Sequence, residues 1–372
     1  MRFIINREQF LKGLVTASKP VPSKGALPIL LFLKLQLDEN GLNILGSNGE
    51  VAISYTIPTT LDGKEIIRNA RDGAILLQSK YITEIARKSS GEELCFEVID
   101  GTVVKIDDDK SSFQLNCVRA EEYPDVNLAT ETTVFDISCA ELANMVEQTA
   151  FAASTKEQTP TLTALNLEAD NGKLTATALD STRLAKKTLE LKEAVTFNVN
   201  IPARTITDII RLFEGNETVS VSIGRQKALF KFGNVVVSTS LINGDYPRTS
   251  NITPRNFNYY LEVNAQELIS AIERVSLLSV EHLNFVKLTM TEDEVVVASK
   301  SAEIGSAVEK INTFQFSGDR LTIMFNSEHV VAAIKALKNE DVTFCFVGES
   351  KTFVIKNPKD DSITQLLTPR RI

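Results

Sequence analysis

The sequence repeats one pattern of a helix followed by three strands, and this internal repeat constrains the fold more than any other feature. In the copy over 198–247, apolar residues from Ile206 to Phe213 recur at helical spacing, and Gly215 provides a stop. Three runs of alternating apolar and polar residues follow and predict an antiparallel meander with one buried face. This copy closes at Tyr246-Pro247.

Two further copies flank this one. The upstream copy has its helix at 79–88 and closes at Tyr123-Pro124, and the downstream copy has its helix at 327–338 and closes at Thr368-Pro369. Each copy is preceded by a second pattern, a short strand, a helix and more strands, over 3–57, 134–191 and 259–311. In this second pattern we expect strands over 28–37 and 162–169, each leading to an Asn-Gly hairpin turn.

The chain therefore divides into three segments, 1–127, 128–255 and 256–372, each with two strand-helix-strands halves. The predicted fold class is α+β, with antiparallel sheets in each segment and two helices on one side of them. Segments in a row extend their sheets edge to edge but leave one unpaired edge at each end, which is an aggregation risk. A head-to-tail contact with a second copy satisfies both edges and closes a ring. The repeat does not decide whether the helices line the inside or the outside.

Composition restricts the class of protein. With 372 residues, 43% hydrophobic, and no apolar run long enough to span a bilayer, the chain is typical of a globular protein of two or three domains. The N-terminus is polar too early for a signal peptide, and the four isolated cysteines indicate free thiols, so we expect a cytoplasmic protein. The acidic hairpin tips at 107–109 and 360–361 indicate turn chemistry, and no metal or cofactor is predicted.

An enzyme is the main alternative class, and the motifs do not favour it. The only histidines are His282 and His329, and neither a dinucleotide-binding nor a phosphate-binding glycine motif is present. A net charge of −8 argues against a protein that coats nucleic acid with a basic surface, although the predicted helices together are slightly basic and would suit a polyanion on the helical side. Ordinary solvation of these helices, or a repeat scaffold that binds only proteins, remains an alternative.

The repeat resembles the DNA polymerase III beta subunit family, the bacterial sliding clamps, over essentially the full chain. The resemblance implies a head-to-tail homodimer that encircles duplex DNA of any sequence, with helices inside and sheets outside. It also implies a clamp that tethers the replicative polymerase and other replication and repair proteins, is loaded by an ATP-driven clamp loader, and has no catalysis of its own, although the nucleotidyltransferase activity of the holoenzyme can be attached to the family. The residues that carry the resemblance are Leu27-Pro28-Ile29-Leu30, Leu179-Asp180-Ser181-Thr182-Arg183-Leu184, Tyr246-Pro247 and Leu367-Thr368-Pro369-Arg370-Arg371-Ile372.

Basic residues on or near the predicted helices are the candidates for contact with DNA phosphates. Lys24 matches a basic loop position of the family, and for each of the others a solvated helix face is an equally good interpretation. The candidates are Lys12, Lys24, Arg87, Lys88, Arg204, Arg211, Lys335 and Lys338.

The family binds short, partly hydrophobic partner peptides in a groove between its second and third segments, and an apolar cleft with a few polar anchors suits such a peptide. Ordinary core is the alternative for the leucines, whereas Arg183, a charge among apolar residues, needs a partner. Thr182, Asn251 and Thr368-Pro369-Arg370 depart from the His, Arg and Met-Pro-Met/Val common in the family, which affects the peptide preference. The matching positions are Leu162, Leu179, Ser181, Thr182, Arg183, Leu184, Pro247, Asn251, Ile252, Thr352, Leu366, Leu367, Thr368, Pro369 and Arg370.

The resemblance also implies where two copies meet. Phe113 and Leu115, on a predicted edge strand of one chain, should contact Leu277 and Leu278 of the other. Apolar residues at a sheet edge are a liability if they stay exposed, so we expect this contact to be covered.

Overall fold

A computed structural model describes residues 1–25, 27–249, 252–279 and 284–370. The chain forms two compact units, one of residues 1–139 and 212–241 and the other of residues 140–211 and 242–372. The helices are α1 (Arg7–Ala17), α2 (Ser79–Lys88), α3 (Cys139–Thr149), α4 (Ala203–Ile210), α5 (Ala265–Ser276) and α6 (Ser327–Leu337). No helix in the described ranges is long and apolar enough to cross a membrane.

The strands follow the order expected from the repeat. Those up to the end of the first predicted segment are β1 (Arg2–Asn6), β2 (Phe32–Asp38), β3 (Gly41–Ser47), β4 (Val51–Ile57), β5 (Thr60–Leu61), β6 (Lys64–Glu65), β7 (Ile67–Arg71), β8 (Gly73–Gln78), β9 (Glu93–Ile99), β10 (Val103–Asp107), β11 (Ser112–Asn116) and β12 (Val118–Arg119). Those of the second are β13 (Thr133–Ser138), β14 (Ala164–Asp170), β15 (Lys173–Leu179), β16 (Arg183–Glu190), β17 (Phe197–Pro202), β18 (Thr218–Ile223), β19 (Lys227–Phe232) and β20 (Val235–Ser240). Those of the third are β21 (Tyr259–Asn264), β22 (Phe285–Met290), β23 (Val295–Ser301), β24 (Gly305–Ile311), β25 (Phe314–Ser317), β26 (Leu321–Asn326), β27 (Asp341–Phe346), β28 (Phe353–Asn357) and β29 (Asp360–Leu367).

Asparagine caps begin three of the helices. The side chains of Asn6, Asn264 and Asn326 accept hydrogen bonds from backbone N–H groups in the first turns of α1, α5 and α6. Each cap satisfies a donor that the helix leaves without an internal partner. At the other end of α6, Lys338 adopts the left-handed conformation (φ 50°), which stops the helix.

In the first unit, a nine-stranded sheet runs in the order β12-β8-β2-β3-β4-β20-β19-β18-β13, and a five-stranded sheet runs β11-β10-β9-β1-β7. The pairing of β4 with β20 joins the first two predicted segments through one sheet. Helix α1 packs against β3, β4 and α2. The rings of Phe3 and Phe96 stack with centroids 4.7 Å apart, and Phe10 meets both edge-on. All three are fully buried, as expected for the apolar side of each element.

In the second unit, a nine-stranded sheet runs β17-β14-β15-β16-β29-β28-β27-β21-β25, and a four-stranded sheet runs β24-β23-β22-β26. The pairing of β16 with β29 joins the second and third predicted segments. Helices α5 and α6 pack on each other and on these strands around one apolar core. Period-two alternation sends Leu367, Phe353 and Phe344 into this core, so their strand neighbours face the opposite side of the sheet.

The structure corrects two local predictions. Helix α4 ends at Ile210, so Phe213 is not part of its apolar stripe; it is buried instead against Phe232, with ring centroids 4.9 Å apart. The strands predicted over 28–37 and 162–169 both begin with one 3-10 turn, Pro28–Leu31 and Pro160–Thr163, before the strand proper. In both places a proline at the first position of the turn lacks the N–H that a sheet ladder requires.

Candidate peptide-binding site

A small apolar cluster lies on the second nine-stranded sheet, on the face turned away from α5 and α6. Its members sit opposite one another on five neighbouring strands, β15, β16, β29, β28 and β27. We call them the apolar row, in strand order Leu179, Leu184, Leu366, Val354 and Cys345. All are buried except Leu179, which is half-buried, and Phe257 packs against the cluster. Leu179, the accessible member of the row, offers aliphatic surface to an extended peptide.

The loop between β15 and β16 places a charged pair at the end of this row. Asp180 Oδ1 accepts hydrogen bonds from the backbone N–H groups of Thr182 (2.7 Å) and Arg183 (3.0 Å) and from the Thr182 hydroxyl (2.8 Å). Arg183 Nε donates to Asp180 Oδ2 at 3.0 Å, and the guanidinium lies 5.8 Å from the centre of the Phe151 ring. The sequence predicts that Arg183 needs a partner. That partner is the carboxylate of Asp180, three residues earlier, and the ring of Phe151 lies beside the guanidinium.

His329, near the start of α6, touches the same loop. Its Nδ1 lies 3.3 Å from Thr182 Oγ1. Because Thr182 gives its hydroxyl hydrogen to Asp180, the Nδ1–H of His329 is assigned as the donor. Burial lowers the pKa of His329, and the Arg183 cation lowers it further, which favours the neutral imidazole.

The predicted residues near the C-terminus frame the row from the other side. Thr368 N–H donates to the Thr182 carbonyl at 2.8 Å, which extends the pairing of β16 and β29 by one bond. Arg370 N–H donates to the Met324 carbonyl at 2.7 Å, and its guanidinium lies 5.0 Å from the centre of the Phe285 ring. Pro369 between them is buried. Leu367 belongs to the helix-side core and not to the apolar row.

The remaining predicted positions surround this arrangement less tightly. Tyr246 accepts a hydrogen bond from the Leu179 N–H at its hydroxyl (3.1 Å), which fixes the turn that carries the exposed Pro247. Burial raises the pKa of Tyr246 to about 12, although this hydrogen bond opposes the shift. Leu162 and Thr352 are half-buried, Ser181 and Ile252 are exposed, and Asn251 lies outside the described residues.

Several residues of the site were missed by the sequence reasoning. Cys345 and Val354 complete the apolar row, and Phe257, Phe151 and His329 border it. Alternation along β27 and β28 places Cys345 and Val354 on the face opposite Phe344 and Phe353, so the face could have been read from the sequence. The contact of Phe151 or His329 with the loop had no signal in the local pattern.

The first unit contains a row at the corresponding register, and it is mostly polar. We call it the polar row: Ser47, Ala52, Ser238, Leu229 and Ser222, paired across β3, β4, β20, β19 and β18. Ser240 N–H donates to the Glu50 carbonyl at 2.9 Å, as Thr368 does to Thr182 in the second unit. The chain itself covers part of this row, since Glu131 N–H donates to Ser222 Oγ at 2.6 Å.

All eight candidate DNA-contacting cations are exposed, but they differ in their partners. Lys12, Lys24 and Arg204 make no ion pair within the part of the chain that the structure describes. The other five are paired with carboxylates on helices: Arg87 and Lys88 with Glu84, Arg211 with Asp208, Lys335 with Glu273, and Lys338 with Glu147. Exposed pairs of this kind contribute little to stability and are easily exchanged.

The predicted contact between copies falls on a sheet edge. Strand β11 is the outer strand of the five-stranded sheet, and its Phe113 and Leu115 are half-buried. Leu277, which follows α5, is 77% exposed, and Leu278 is half-buried. The four-stranded sheet ends in β24, whose Val308 is 68% exposed, an edge that the sequence reasoning did not name.

Comparison with known proteins shows the family. The models of the DNA polymerase III beta subunit match in order along the chain: the N-terminal domain at residues 1–128, the central domain at 136–248 and the C-terminal domain at 250–371. The chain belongs to the DNA polymerase III beta subunit family.

Relatives and solved structures agree over the whole length. The chain is 33% identical over 376 residues to the beta sliding clamp of Bacillus subtilis, with all of both chains covered, and 33% identical over 374 residues to that of Staphylococcus aureus (strain Mu50), with 100% and 99% covered. The crystal structure of the Bacillus subtilis sliding clamp matches with a TM-score of 0.97 at 32% identity, covering 100% of this chain and 99% of that one. The beta chain from Streptococcus pneumoniae matches with a TM-score of 0.96 at 31% identity, covering all of both. The predicted beta-subunit membership and sliding-clamp fold are confirmed.

Proposed function

We propose that this chain is the processivity clamp of a bacterial replicase: a head-to-tail homodimer whose ring encircles duplex DNA and tethers the replicative polymerase. The observation that carries the proposal is the match of all three beta-subunit domains in order, together with a TM-score of 0.97 to a sliding clamp over the full chain. Three domains with boundaries at 127 and 255 follow from the same repeat. The protein would act in the cytoplasm, where the chromosome is replicated.

A clamp must hold DNA without stalling on it. A ring holds by topology, so its contacts with DNA can be weak and directed to phosphates, which carry no sequence information. Lys12, Lys24 and Arg204, which form no ion pair with any residue that the structure describes, are the best candidates for such contacts, because no ion pair must be broken first. Polymerisation itself belongs to the partner polymerase, and the clamp contributes no catalytic group.

The apolar row supports a groove for partner peptides from the polymerase alpha-type subunit, the clamp loader and other clamp-binding proteins. An apolar peptide side chain gains about 1.5–3 kcal/mol on full burial, and the half-buried Leu179, backed by the buried Leu184 and Leu366, offers it accessible aliphatic surface. In the polar row of the first unit, Ser47, Ala52 and Ser238 occupy the corresponding positions. They offer less apolar surface, so a peptide side chain would gain less free energy there. The contrast favours one peptide groove per chain.

Retention on DNA tests the ring. The purified protein, loaded on a nicked circular duplex by a clamp loader, should stay bound through gel filtration and be lost when the circle is linearised. Equal retention on both forms would contradict encirclement, and a solution mass of one chain at working concentration would contradict the homodimer. Primer extension by the clamp alone should give no product, whereas addition of the clamp to its polymerase should lengthen the products.

A further inference from the structure

A polar cavity of about 590 Å³ adjoins the apolar row on the same face of the second nine-stranded sheet. Its floor is a row of side chains on β16, β15, β14 and β17, and its rim is the turn of residues 244–249 that follows β20. The floor residues are Lys186, Thr177, Asn166 and Asn200, which lie opposite one another in the strand register.

The cavity and the apolar row are consecutive rows of one surface. Lys186 lies two residues after Leu184 on β16, and Thr177 lies two residues before Leu179 on β15. Two residues along a strand span roughly 7 Å on the same face. Pro247, a predicted groove residue, lines the cavity as well. An extended peptide with an apolar side chain on Leu179 would therefore bring a nearby residue over the cavity.

The polar groups of the cavity are unequally satisfied. The Asn200 amide donates to the carbonyls of Ile242 (3.3 Å) and Gly244 (2.8 Å), and the Asn166 amide donates to Asn198 and Asn200. Thr177 is only 5% exposed as a residue, and its hydroxyl makes no hydrogen bond within the described ranges but keeps access to the cavity. A hydroxyl that faces the cavity can bind water there or donate a hydrogen bond to a ligand.

The floor row nearest the apolar row carries one cation. Lys186 and Arg248 both line the cavity, and neither forms an ion pair with any described residue. Two carboxylates also line it, but Glu168 lies one row farther from the apolar row, opposite Thr175 and Asn198, and Asp245 is exposed on the rim. The floor row itself carries Lys186 and no carboxylate.

The corresponding positions of the first unit carry different side chains. Ser54 and Leu45 stand there in place of Lys186 and Thr177. Lys34 takes the place of Asn166, so this row of the first unit also carries a cation, but on a different strand.

We propose that this cavity is a second subsite for the partner peptide and that it takes a carboxylate side chain, with Lys186 and Arg248 as its cationic partners and the Thr177 hydroxyl as a donor. The inference rests on the peptide groove of the proposed function. It assigns to the chain a preference for an acidic residue near the apolar anchor of its partners. Charge-assisted hydrogen bonds of this kind are about twice as strong as neutral ones.

Binding of four labelled synthetic decapeptides tests the subsite. All four carry the same Leu-Phe anchor, and they place Glu or Gln three residues before or three residues after it. We expect one Glu peptide to bind the full-length dimer about fivefold more tightly than its Gln counterpart, by fluorescence anisotropy at low salt. This preference should fall below about twofold in Lys186→Gln. Lys173→Gln, at the far end of β15, should keep the full preference and serves as the matched control.

The outcomes separate the subsite from the groove. If Glu and Gln peptides bind equally to the wild type, or if Lys186→Gln keeps the preference, the subsite is wrong and the groove stands. If no peptide binds although the protein is retained on circular DNA, the groove is wrong and the subsite with it. Should Lys186→Gln fail to fold, Arg248→Gln on the exposed rim provides the same comparison.

Discussion

Arg183 Nε lies 3.0 Å from Asp180 Oδ2, and the two side chains are only 17% and 15% exposed. Removing either partner leaves a poorly hydrated charge at the end of the apolar row. We expect Asp180→Ala to destabilise the second unit by about 2 kcal/mol and to weaken peptide binding about tenfold, because Asp180 also holds three hydrogen bonds of the loop. Thermal unfolding and anisotropy with a Leu-Phe peptide measure the two effects. Arg211→Ala is the control: its pair with Asp208 is 69% and 59% exposed, so the variant should change neither the stability nor the peptide affinity. Unaltered peptide affinity in Asp180→Ala would rule out the role of the loop.

Lys187 and Asp360 give a pH-dependent contribution to stability. Lys187 is 4% exposed, and its Nζ lies 2.6 Å from Asp360 Oδ2. Burial alone would raise the pKa of Asp360, but hydrogen bonds from Lys187 and Ser362 outweigh it and place the pKa below its usual value. A lowered pKa in the folded state means that the unfolded chain takes up the proton first. The contribution is therefore complete above about pH 5 and is lost as the pH falls through the folded-state pKa.

We expect Asp360→Asn to lower the free energy of unfolding by about 2 kcal/mol at pH 7, because Lys187 stays buried without its counter-charge. The difference from wild type should shrink as the pH falls below about 4, since the wild-type carboxylate is then protonated too. Urea unfolding between pH 3 and 7 measures it. Glu294→Gln removes an exposed pair with Lys310 and should show no such trend. A difference that grows toward acid pH would contradict the assignment.

The salt dependence of DNA binding should separate the unpaired cations from the paired ones. For B-DNA, each phosphate contact contributes about 0.9 to the slope of log affinity against log salt. We expect Lys24→Gln, and likewise Lys12→Gln and Arg204→Gln, to reduce the slope by up to about one, measured by anisotropy with a short duplex. Arg211→Gln should reduce it less, because Arg211 is paired with Asp208. If all four variants keep the wild-type slope, these residues do not face the phosphates.

The repeat predicted most of the fold because its signals are local. Alternation within a strand and apolar stripes along a helix are visible in one sequence, and both survive in the structure. The exceptions are places where a local signal is ambiguous. Phe213 fits the helical spacing of α4, yet the helix stops at Ile210 and the side chain is buried from a turn against Phe232. Spacing alone cannot tell whether an apolar residue extends a stripe or begins the next element.

The site was less predictable because it is assembled from distant residues. The pairing of Leu184 with Leu366 joins strands more than 180 residues apart, and only the resemblance brought them together in advance. Exposed ion pairs such as Lys338 with Glu147 depend on two long side chains meeting across helices, which no periodicity encodes. The sequence did indicate that Arg183 needed a partner, but it could not choose Asp180 over other carboxylates.

The exposed Leu277 offers a test of the contact between copies. It is 77% exposed in a single chain, and a large aliphatic side chain in water gains free energy when a partner covers it. We expect Leu277→Asp to shift the dimer toward monomer by at least about tenfold in the dissociation constant, measured by sedimentation. Tyr81→Asp, a 51% exposed residue on α2, is the control and should leave the dimer intact. An unchanged dimer in Leu277→Asp would place the contact elsewhere.

Two tyrosines at matching positions of the repeat, Tyr246 and Tyr123, should respond differently to loss of their hydroxyls. Tyr246 accepts a hydrogen bond from the Leu179 N–H at 3.1 Å, whereas the buried Tyr123 hydroxyl lies near the Ser47 backbone without meeting hydrogen-bond geometry. A neutral hydrogen bond is worth about 1 kcal/mol, so Tyr246→Phe should speed exchange of the Leu179 amide about fivefold and loosen this end of the apolar row. Tyr123→Phe removes a buried group that has no good partner, so exchange at Ser47 should stay within about twofold of wild type. Hydrogen exchange resolved by NMR measures the exchange rates of the Leu179 and Ser47 amides in each variant. Equal acceleration of the Leu179 amide in Tyr246→Phe and of the Ser47 amide in Tyr123→Phe would show that the Tyr246 hydroxyl does not hold Leu179 in place.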